Sequence, residues 1–157
     1  GPGRGVVAPA LDLAAVIVLD TNVISELMRA QPALQVVAWL DAQDAESVWI
    51  SSVSVLEIRY GIELVDDNAR RLRLERAFDA MLRQDLSTRI VSFDVAAAEQ
   101  TARLSALARR QGRTIELRDA MIAGIAAAQG ALLATRNTRH FAECGVDLVD
   151  PWQPSGA

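Results

Sequence analysis

The chain has 157 residues and a net charge of −4 at pH 7, and 51% of its residues are hydrophobic. This length and composition predict one globular domain with a substantial core. The acidic balance argues against a nucleic-acid binder, because phosphate contacts supply most of the affinity for nucleic acid, but it does not exclude one. All 16 Lys and Arg positions are arginine, which excludes a Walker A phosphate loop and a Schiff-base enzyme, because both need lysine. Cys144 is the single cysteine, which excludes an internal disulfide and a cysteine-based zinc cluster.

The two ends of the chain differ in composition from its middle. Residues 1–15 are small, rich in Pro and Gly and without a pattern, so we interpret them as a linker or a remnant of a cleaved tag. We expect a single domain over residues 16–153 and a short tail over residues 154–157. Neither a stretch of the roughly 20 apolar residues that span a membrane nor a signal-peptide pattern is visible, which predicts a cytoplasmic protein.

The first predicted strand, residues 16–19, runs directly into Asp20, Thr21 and Asn22. An apolar, β-branched run of this kind is typical of a strand buried on both faces. Ligands in open α/β sheets bind beyond the carboxyl ends of such strands, where Asp20 is expected. The alternative is that Asp20 or Asn22 simply caps the helix that follows.

Strand and helix patterns continue to alternate in the first half of the chain. Apolar residues at helical spacing predict two short helices separated by Pro32. The next predicted strand covers residues 47–51, and the predicted helix after it, residues 53–61, contains Glu57. This acid is informative, because a Glu among apolar neighbours is seldom buried without a partner or a metal. An amphipathic helix is predicted over residues 66–84.

The second half of the chain alternates in the same way, with predicted strands over residues 89–92, 131–135 and 146–149. A helix capped by Asp94 and ended by Gly112 has a predicted buried stripe formed by Val95, Ala98, Ala102, Leu107 and Ala108. Asp119 lies in or near the first turn of the next helix, whose Ala- and Gly-rich body predicts close packing on the sheet. The alternation predicts an α/β fold in which a parallel sheet carries helices on both faces.

Three acids and one amide stand where a strand ends or where a helix begins or is unexpectedly polar: Asp20, Glu57, Asp119 and Asn137. A doubly wound topology could bring them to one edge of the sheet. Carboxylates with no histidine or cysteine near them suit a hard cation, with Mg²⁺ as the first choice and Mn²⁺ as an alternative. Without metal, repulsion between the acids would raise at least one carboxyl pKa. Sites of this kind catalyse phosphoryl or phosphodiester transfer.

Four segments and a closing dipeptide resemble the PIN-domain ribonucleases, and among them the VapC-type toxins of type II toxin–antitoxin modules, especially the FitB-like branch. The segments are residues 19–27 (LDTNVISEL), 54–61 (SVLEIRYG), 118–123 (RDAMIA) and 133–141 (LATRNTRHF), with Pro151-Trp152 closing the domain. Together they cover nearly everything after Ala15.

The resemblance implies a PIN-like three-layer fold with a parallel sheet of about five strands, and a metal-dependent endoribonuclease that hydrolyses RNA with metal-activated water. The family's metal-binding acids fall on Asp20, Glu57 and Asp119. A fourth catalytic position, often aspartate in the family, falls on Asn137. Many members also carry an Asp where this chain has His140, so a second metal position is in question.

The resemblance also implies partners. A cognate VapB-type antitoxin would block the active site with its C-terminal segment, and RNA would be the substrate. A homodimer and a toxin–antitoxin hetero-oligomer are expected, without contact to a membrane.

Several other side chains can be interpreted either as site residues or as structural residues. Thr21 and Asn22 would support the first acid or hold water, and four arginines near the acids could bind phosphates or lie on the surface: Arg59, Arg118, Arg136 and Arg139. His140 is expected at the surface or at a helix cap, Trp152 in packing, and Glu26 as the partner of an arginine.

Two other hypotheses stay open. The first is a catalytically weak PIN-like module that binds RNA or a partner, against which the retained acids argue. The second is a metal-dependent phosphatase of the haloacid-dehalogenase type, which also has an Asp after its first strand. That family needs a second Asp where this chain has Asn22, and it needs a lysine.

Overall fold

The computed structural model describes residues 16–86 and 89–154. The predicted N-terminal segment, residues 1–15, and the end of the predicted tail lie outside the described residues.

A five-stranded sheet forms the centre of the described chain, in the order β3-β2-β1-β4-β5. All four strand pairs are parallel, as predicted. The strands are short: β1 is Ile17–Leu19, β2 Val48–Ser51, β3 Ile90–Val91, β4 Leu132–Ala134 and β5 Leu148–Val149.

Seven α-helices connect or follow the strands in the described residues: α1 is Thr21–Leu27, α2 Leu34–Asp41, α3 Ser52–Glu63, α4 Asn68–Ala80, α5 Val95–Arg110, α6 Leu117–Gln129 and α7 Thr138–Phe141. A 3₁₀ turn, Ala45–Ser47, precedes β2. The amphipathic helix predicted over residues 66–84 is α4 followed by one π-helical turn, Met81–Asp85.

The central strand β1 divides the core into two layers of packed side chains. Ile17 and Leu19 belong to the cluster formed with α1 to α4, and Val18 belongs to the cluster formed with α5, α6 and α7. Because successive side chains of a strand point to opposite faces, this alternation places helices on both sides of the sheet. The predicted three-layer α/β fold is confirmed.

The register aligns the carboxyl ends of the three central strands. Leu19 of β1 lies beside Ile50 of β2 and Ala134 of β4. The backbone N–H of Asp20 donates to the carbonyl oxygen of Ala134 at 2.8 Å, which extends the pairing by one residue. The first polar residues past β1 and β4 therefore meet at one edge of the sheet.

Helices α5 and α6 pack unusually closely, and their contact corrects one prediction. A Cβ added to Gly124 of α6 would collide with the side chain of Thr101 and lie 2.8 Å from the carbonyl oxygen of Ala97. The buried stripe of α5 is Ala97, Thr101, Leu104 and Ala108. Only Ala108 of the predicted stripe is fully buried there, and Val95 is 74% exposed, because the small residues of the helix face α6.

Within the described residues, no helix is long and apolar enough to span a membrane.

Candidate active site

Asp20 occupies the turn from β1 to α1 and is only 4% exposed. Its Oδ1 accepts the backbone N–H of Thr21 at 2.8 Å, which caps α1. Its Oδ2 accepts the hydroxyl of Thr135 at 2.7 Å. The capping role considered for Asp20 is therefore present, and it uses only one carboxylate oxygen, because the other one bonds Thr135.

Glu57 projects from α3 toward the same edge of the sheet. Its Oε1 accepts the hydroxyl of Thr21 at 2.5 Å, and the Thr21 hydroxyl is also 2.8 Å from that of Ser54. Its Oε2 lies 3.5 Å from Nε of Arg118. Thr21 thus joins the start of α1 to α3 and fixes one oxygen of Glu57.

Asp119 lies in the first turn of α6, as predicted. Glu116 caps this helix and accepts the backbone N–H groups of Arg118 and Asp119. Oδ2 of Asp119 is 3.1 Å from Nε2 of His140 on α7. The expectation that no histidine lies near the acids is therefore wrong, and the surface or capping role expected for His140 misses this contact. The cause is the short helix α7, which directs His140 toward the N-terminal turn of α6.

The three acids line one cleft of about 490 Å³, together with Thr21, Asn22, Ser25, Glu26, Arg29, Arg136, Asn137 and Trp152. Burial raises the pKa of Asp20 above its ordinary value, against the hydrogen bonds from Thr135 and Thr21, and the nearby charges of Asp119 and Glu57 raise it further. Burial is also the main cause of the raised pKa of Asp119, which the neighbouring His140 partly offsets. The predicted repulsion between the acids is thus present at Asp20.

The acids do not form a closed ligand set in this arrangement. In residues 16–86 and 89–154, no group of three or more His, Cys, Asp or Glu side chains is close enough to hold a metal ion as it stands. Two of the acids are instead paired with basic side chains, Glu57 with Arg118 and Asp119 with His140.

Asn137 is exposed at the N-cap position of α7, but its side chain makes no capping hydrogen bond. It lines the cleft, and its backbone N–H donates to the hydroxyl of Thr135 at 3.0 Å. Capping by its side chain, the alternative to a site role, is absent.

Thr135 is a site residue that the sequence analysis did not single out. It is fully buried, donates to Asp20, and accepts from Asn137 and, at 3.5 Å, from Nδ2 of Asn22. The signal that could have identified it is its register, because it is the first residue past β4 just as Asp20 is the first past β1. Asn22 also accepts the backbone N–H of Arg136 at 3.3 Å and so joins α1 to this loop.

The four predicted substrate arginines separate into different environments. Arg118 and Arg136 lie at the acids or in the cleft, and Arg139 lines a neighbouring pocket that also contains Asp119. Arg59 does not line the cleft. Its guanidinium is 2.6 Å from Asp79 and lies over the ring of Phe78, because α3 presents it to α4.

Glu26 has the arginine partner predicted for it. It is 3.2 Å from Arg29 and also accepts the backbone N–H of Ala33 at 2.7 Å. These contacts hold the pKa of Glu26 below its ordinary value, the backbone hydrogen bond most strongly.

This arrangement is the one expected from the family resemblance. Two central strands of a parallel five-stranded sheet are followed by Asp20 and Thr135, and two crossover helices carry Glu57 and Asp119. The model of the PIN domain family matches residues 17–146, and the chain belongs to this family. The phosphatase hypothesis is thereby left without support.

Several curated proteins and solved structures are similar over most of the chain. The VapC ribonuclease Y4jK of Sinorhizobium fredii is 39% identical, covering 88% of this chain and 99% of the relative. Toxin FitB of Neisseria gonorrhoeae is 35% identical, covering 87% and 98%. The crystal structure of FitAcB from Neisseria gonorrhoeae has a TM-score of 0.78 at 34% identity, covering 88% of this chain and 99% of that chain.

Proposed function

We propose that this protein is a metal-dependent endoribonuclease and the toxin of a toxin–antitoxin module. The observation that carries the proposal is the convergence of Asp20, Glu57 and Asp119, from three separate parts of the chain, on one cleft at the carboxyl edge of the sheet. Similar proteins described as VapC ribonuclease and as toxin FitB support the activity and the biological role.

The chemistry of the donors suits a hard divalent cation, and Glu57 and Asp119 would exchange their present basic partners for the ion. Carboxylate oxygens are the ligands that Mg²⁺ and Mn²⁺ prefer, and an ion would relieve the burial and repulsion that raise the pKa of Asp20. Asp20 and Asp119 would be the principal ligands, with Glu57 acting directly or through water. The ion would supply an activated water and neutralise charge on the scissile phosphate.

Asn137 would hold one further ligand or water through its amide oxygen. Because an amide carries no charge, the cleft has one negative charge fewer than an all-acid version of the family site. We therefore expect one firmly bound ion, and a second ion only when RNA phosphate supplies further oxygens.

Other side chains in the cleft would hold these groups in position. The hydroxyl of Thr135 fixes one oxygen of Asp20, and the hydroxyl of Thr21 fixes one oxygen of Glu57. Arg118, beside Glu57, and Arg136, on the wall of the cleft, would contact RNA phosphate or base.

The partner would be an antitoxin of the VapB type. Solved structures similar to this chain include FitAB bound to a DNA fragment, at 36% identity and a TM-score of 0.80, and DNA-bound VapBC from Salmonella typhimurium, at 26% and 0.74. A second groove of about 930 Å³ adjoins the cleft, and its walls include Met28, Ile62 and Leu74. This groove would accept an apolar antitoxin segment that continues into the cleft. The expected homodimer stays a prediction.

Cleavage of single-stranded RNA by the purified chain tests the proposal. We expect cleavage with Mg²⁺ or Mn²⁺ and none in excess EDTA, because the described cleft offers no pair of histidines for metal-free hydrolysis. Asp20→Asn and Asp119→Asn should lose at least about 100-fold in rate while they stay folded, as judged by circular dichroism. Glu99→Gln, an exposed acid of α5 outside the cleft, is the matched control.

Full activity in EDTA would contradict metal dependence. Full activity of both Asp20→Asn and Asp119→Asn would mean that the reaction takes place outside this cleft. RNA binding without cleavage by the wild-type chain, under every metal condition, would favour the catalytically weak binding module.

A further inference from the structure

Arg136 and Trp152 form a stack on the wall of the cleft. The guanidinium carbon Cζ of Arg136 lies over the ring of Trp152, 4.7 Å from its centroid. Both residues line the same cleft as Asp20, Glu57 and Asp119. We call this pair the Arg136–Trp152 stack.

Hydrogen bonds hold the backbones of both residues. The N–H of Arg136 donates to Oδ1 of Asn22, which ties the loop after β4 to α1. The N–H of Trp152 donates to Oδ1 of Asp150 at 2.8 Å, and Pro151 beside it is buried. The backbone that carries the pair is therefore already in place before a ligand binds.

The guanidinium of Arg136 has no acidic partner in the described chain, in contrast to other arginines nearby. Arg29, Arg59 and Arg118 each have a carboxylate oxygen within 3.5 Å. For Arg136 the structure gives a longer-range attraction to Glu26 but no ion pair among the described residues. An exposed guanidinium without an ion pair among the described residues is available to a ligand.

We propose that the Arg136–Trp152 stack binds an unpaired nucleobase of the RNA strand, next to the phosphate that lies over the three acids. Guanidinium planes and aromatic rings are the side chains on which single-stranded bases stack, and a guanidinium held over an indole combines both. The inference rests on the proposed ribonuclease function and adds a base-binding subsite to it. It also gives Trp152 a role beyond the packing predicted from the sequence.

Arg136→Lys separates base stacking from a phosphate contact, because lysine keeps the charge but loses the plane. We expect Arg136→Lys and Trp152→Leu each to raise the KM for single-stranded RNA about 10-fold or more, with kcat within about twofold of the wild type. Trp152→Phe should retain most of the affinity. Arg110→Lys, at an exposed position at the end of α5, is the control for the arginine change.

A binding measurement tests the same subsite without cleavage. In the Asp20→Asn background, RNA oligonucleotides with 2-aminopurine at successive positions should show a fluorescence change at one or two adjacent positions. That change should be lost with Trp152→Leu.

The outcomes distinguish the alternatives. If Arg136→Lys had the wild-type KM, Arg136 would contact a phosphate and base stacking would be overturned. If folded Trp152→Leu had the wild-type KM, the role of Trp152 would be limited to packing. A fluorescence change that survives Trp152→Leu would overturn the subsite as well. If the wild-type chain does not cleave RNA, the proposed function fails, whereas the oligonucleotide measurement still decides the subsite.

Discussion

Asp20 serves both the fold and the cleft. One of its carboxylate oxygens caps α1, and the other accepts the Thr135 hydroxyl. Burial nevertheless raises its pKa, so the folded chain without metal holds an ionised carboxylate less readily than the unfolded chain does.

This raised pKa predicts how stability depends on pH. Because the folded pKa of Asp20 lies above its ordinary value of 3.8, the folded chain binds the proton more tightly than the unfolded chain. The free energy of unfolding should therefore fall as pH rises from about that value through the raised pKa, and Asp119 contributes in the same direction. Asp20→Asn should flatten this dependence and equal or exceed the wild type in stability at neutral pH.

Thermal and urea unfolding in EDTA over a series of pH values measures this effect, with Glu99→Gln as the control. If Asp20→Asn were clearly less stable than the wild type at neutral pH, the capping role of Asp20 would outweigh the relief of repulsion.

His140 is placed to orient Asp119 through the contact between Nε2 and Oδ2. Partners that orient a metal-binding carboxylate are worth about 10- to 100-fold in metal affinity or activity. His140→Ala should accordingly slow cleavage about 10-fold, and His140→Gln, which keeps an N–H donor, should recover part of the loss. Steady-state cleavage rates at saturating Mg²⁺ provide the measurement. Equal rates for His140→Ala and the wild type would leave His140 without a role in the reaction.

The sequence placed the three acids correctly at one sheet edge, because each follows an apolar strand or stands out in an apolar helix. It did not predict the contacts of Thr135 and His140. Thr135 matters through a hydrogen bond to a residue 115 positions away, and His140 through the direction of a four-residue helix. Neither the register between strands nor the orientation of a short helix can be read from local spacing.

At the scale of elements, the α5–α6 contact depends on Gly124. A Cβ at this position would collide with Thr101 and lie 2.8 Å from a backbone oxygen of α5 that cannot turn aside. Gly124→Ala should therefore lower the free energy of unfolding by about 1–3 kcal/mol, even though alanine favours helix.

Gly61→Ala is the matched control, because Gly61 lies in α3 and nothing approaches the position of its Cβ within 4 Å. It should raise the free energy of unfolding by about 0.5–1 kcal/mol. Urea unfolding of both variants measures the difference. If Gly124→Ala also raised the free energy of unfolding, α5 and α6 would be able to move apart without loss of stability.

The same contact explains why the buried stripe of α5 was predicted wrongly. Apolar character marked Val95 and Leu107, but both are exposed, and Thr101 is buried at the helix crossing. The face of a helix that can approach a neighbour this closely is the one with small side chains. A prediction from hydrophobicity alone does not identify that face. The Asp94 cap was predicted correctly because capping is local: its side chain accepts the N–H of Ala97.

At the scale of the whole molecule, the cleft and the second groove beside it form one continuous surface. Both are lined by Thr21, Ser25, Arg29 and Glu57. A single antitoxin segment could therefore lie in the groove and place a basic side chain on the acids.

This continuity predicts that neutralising the acids weakens inhibition. Asp20→Asn and Glu57→Gln should each lower antitoxin affinity at least about tenfold, because a basic group would lose its buried partner. Calorimetric titration with the cognate antitoxin measures this, and Glu99→Gln should bind as the wild type does. Unchanged affinity in both cleft variants would mean that inhibition acts from elsewhere on the surface.

The strand order also sets when this site can exist during synthesis. Asp20 directly follows the central strand β1, and its partner Thr135 is synthesised 115 residues later. At a synthesis rate of about 5–20 residues per second, these 115 residues take roughly 6 to 23 s. The nascent chain cannot assemble the cleft during that interval, because Asp20 and Thr135 meet only after β4 has joined the sheet beside β1.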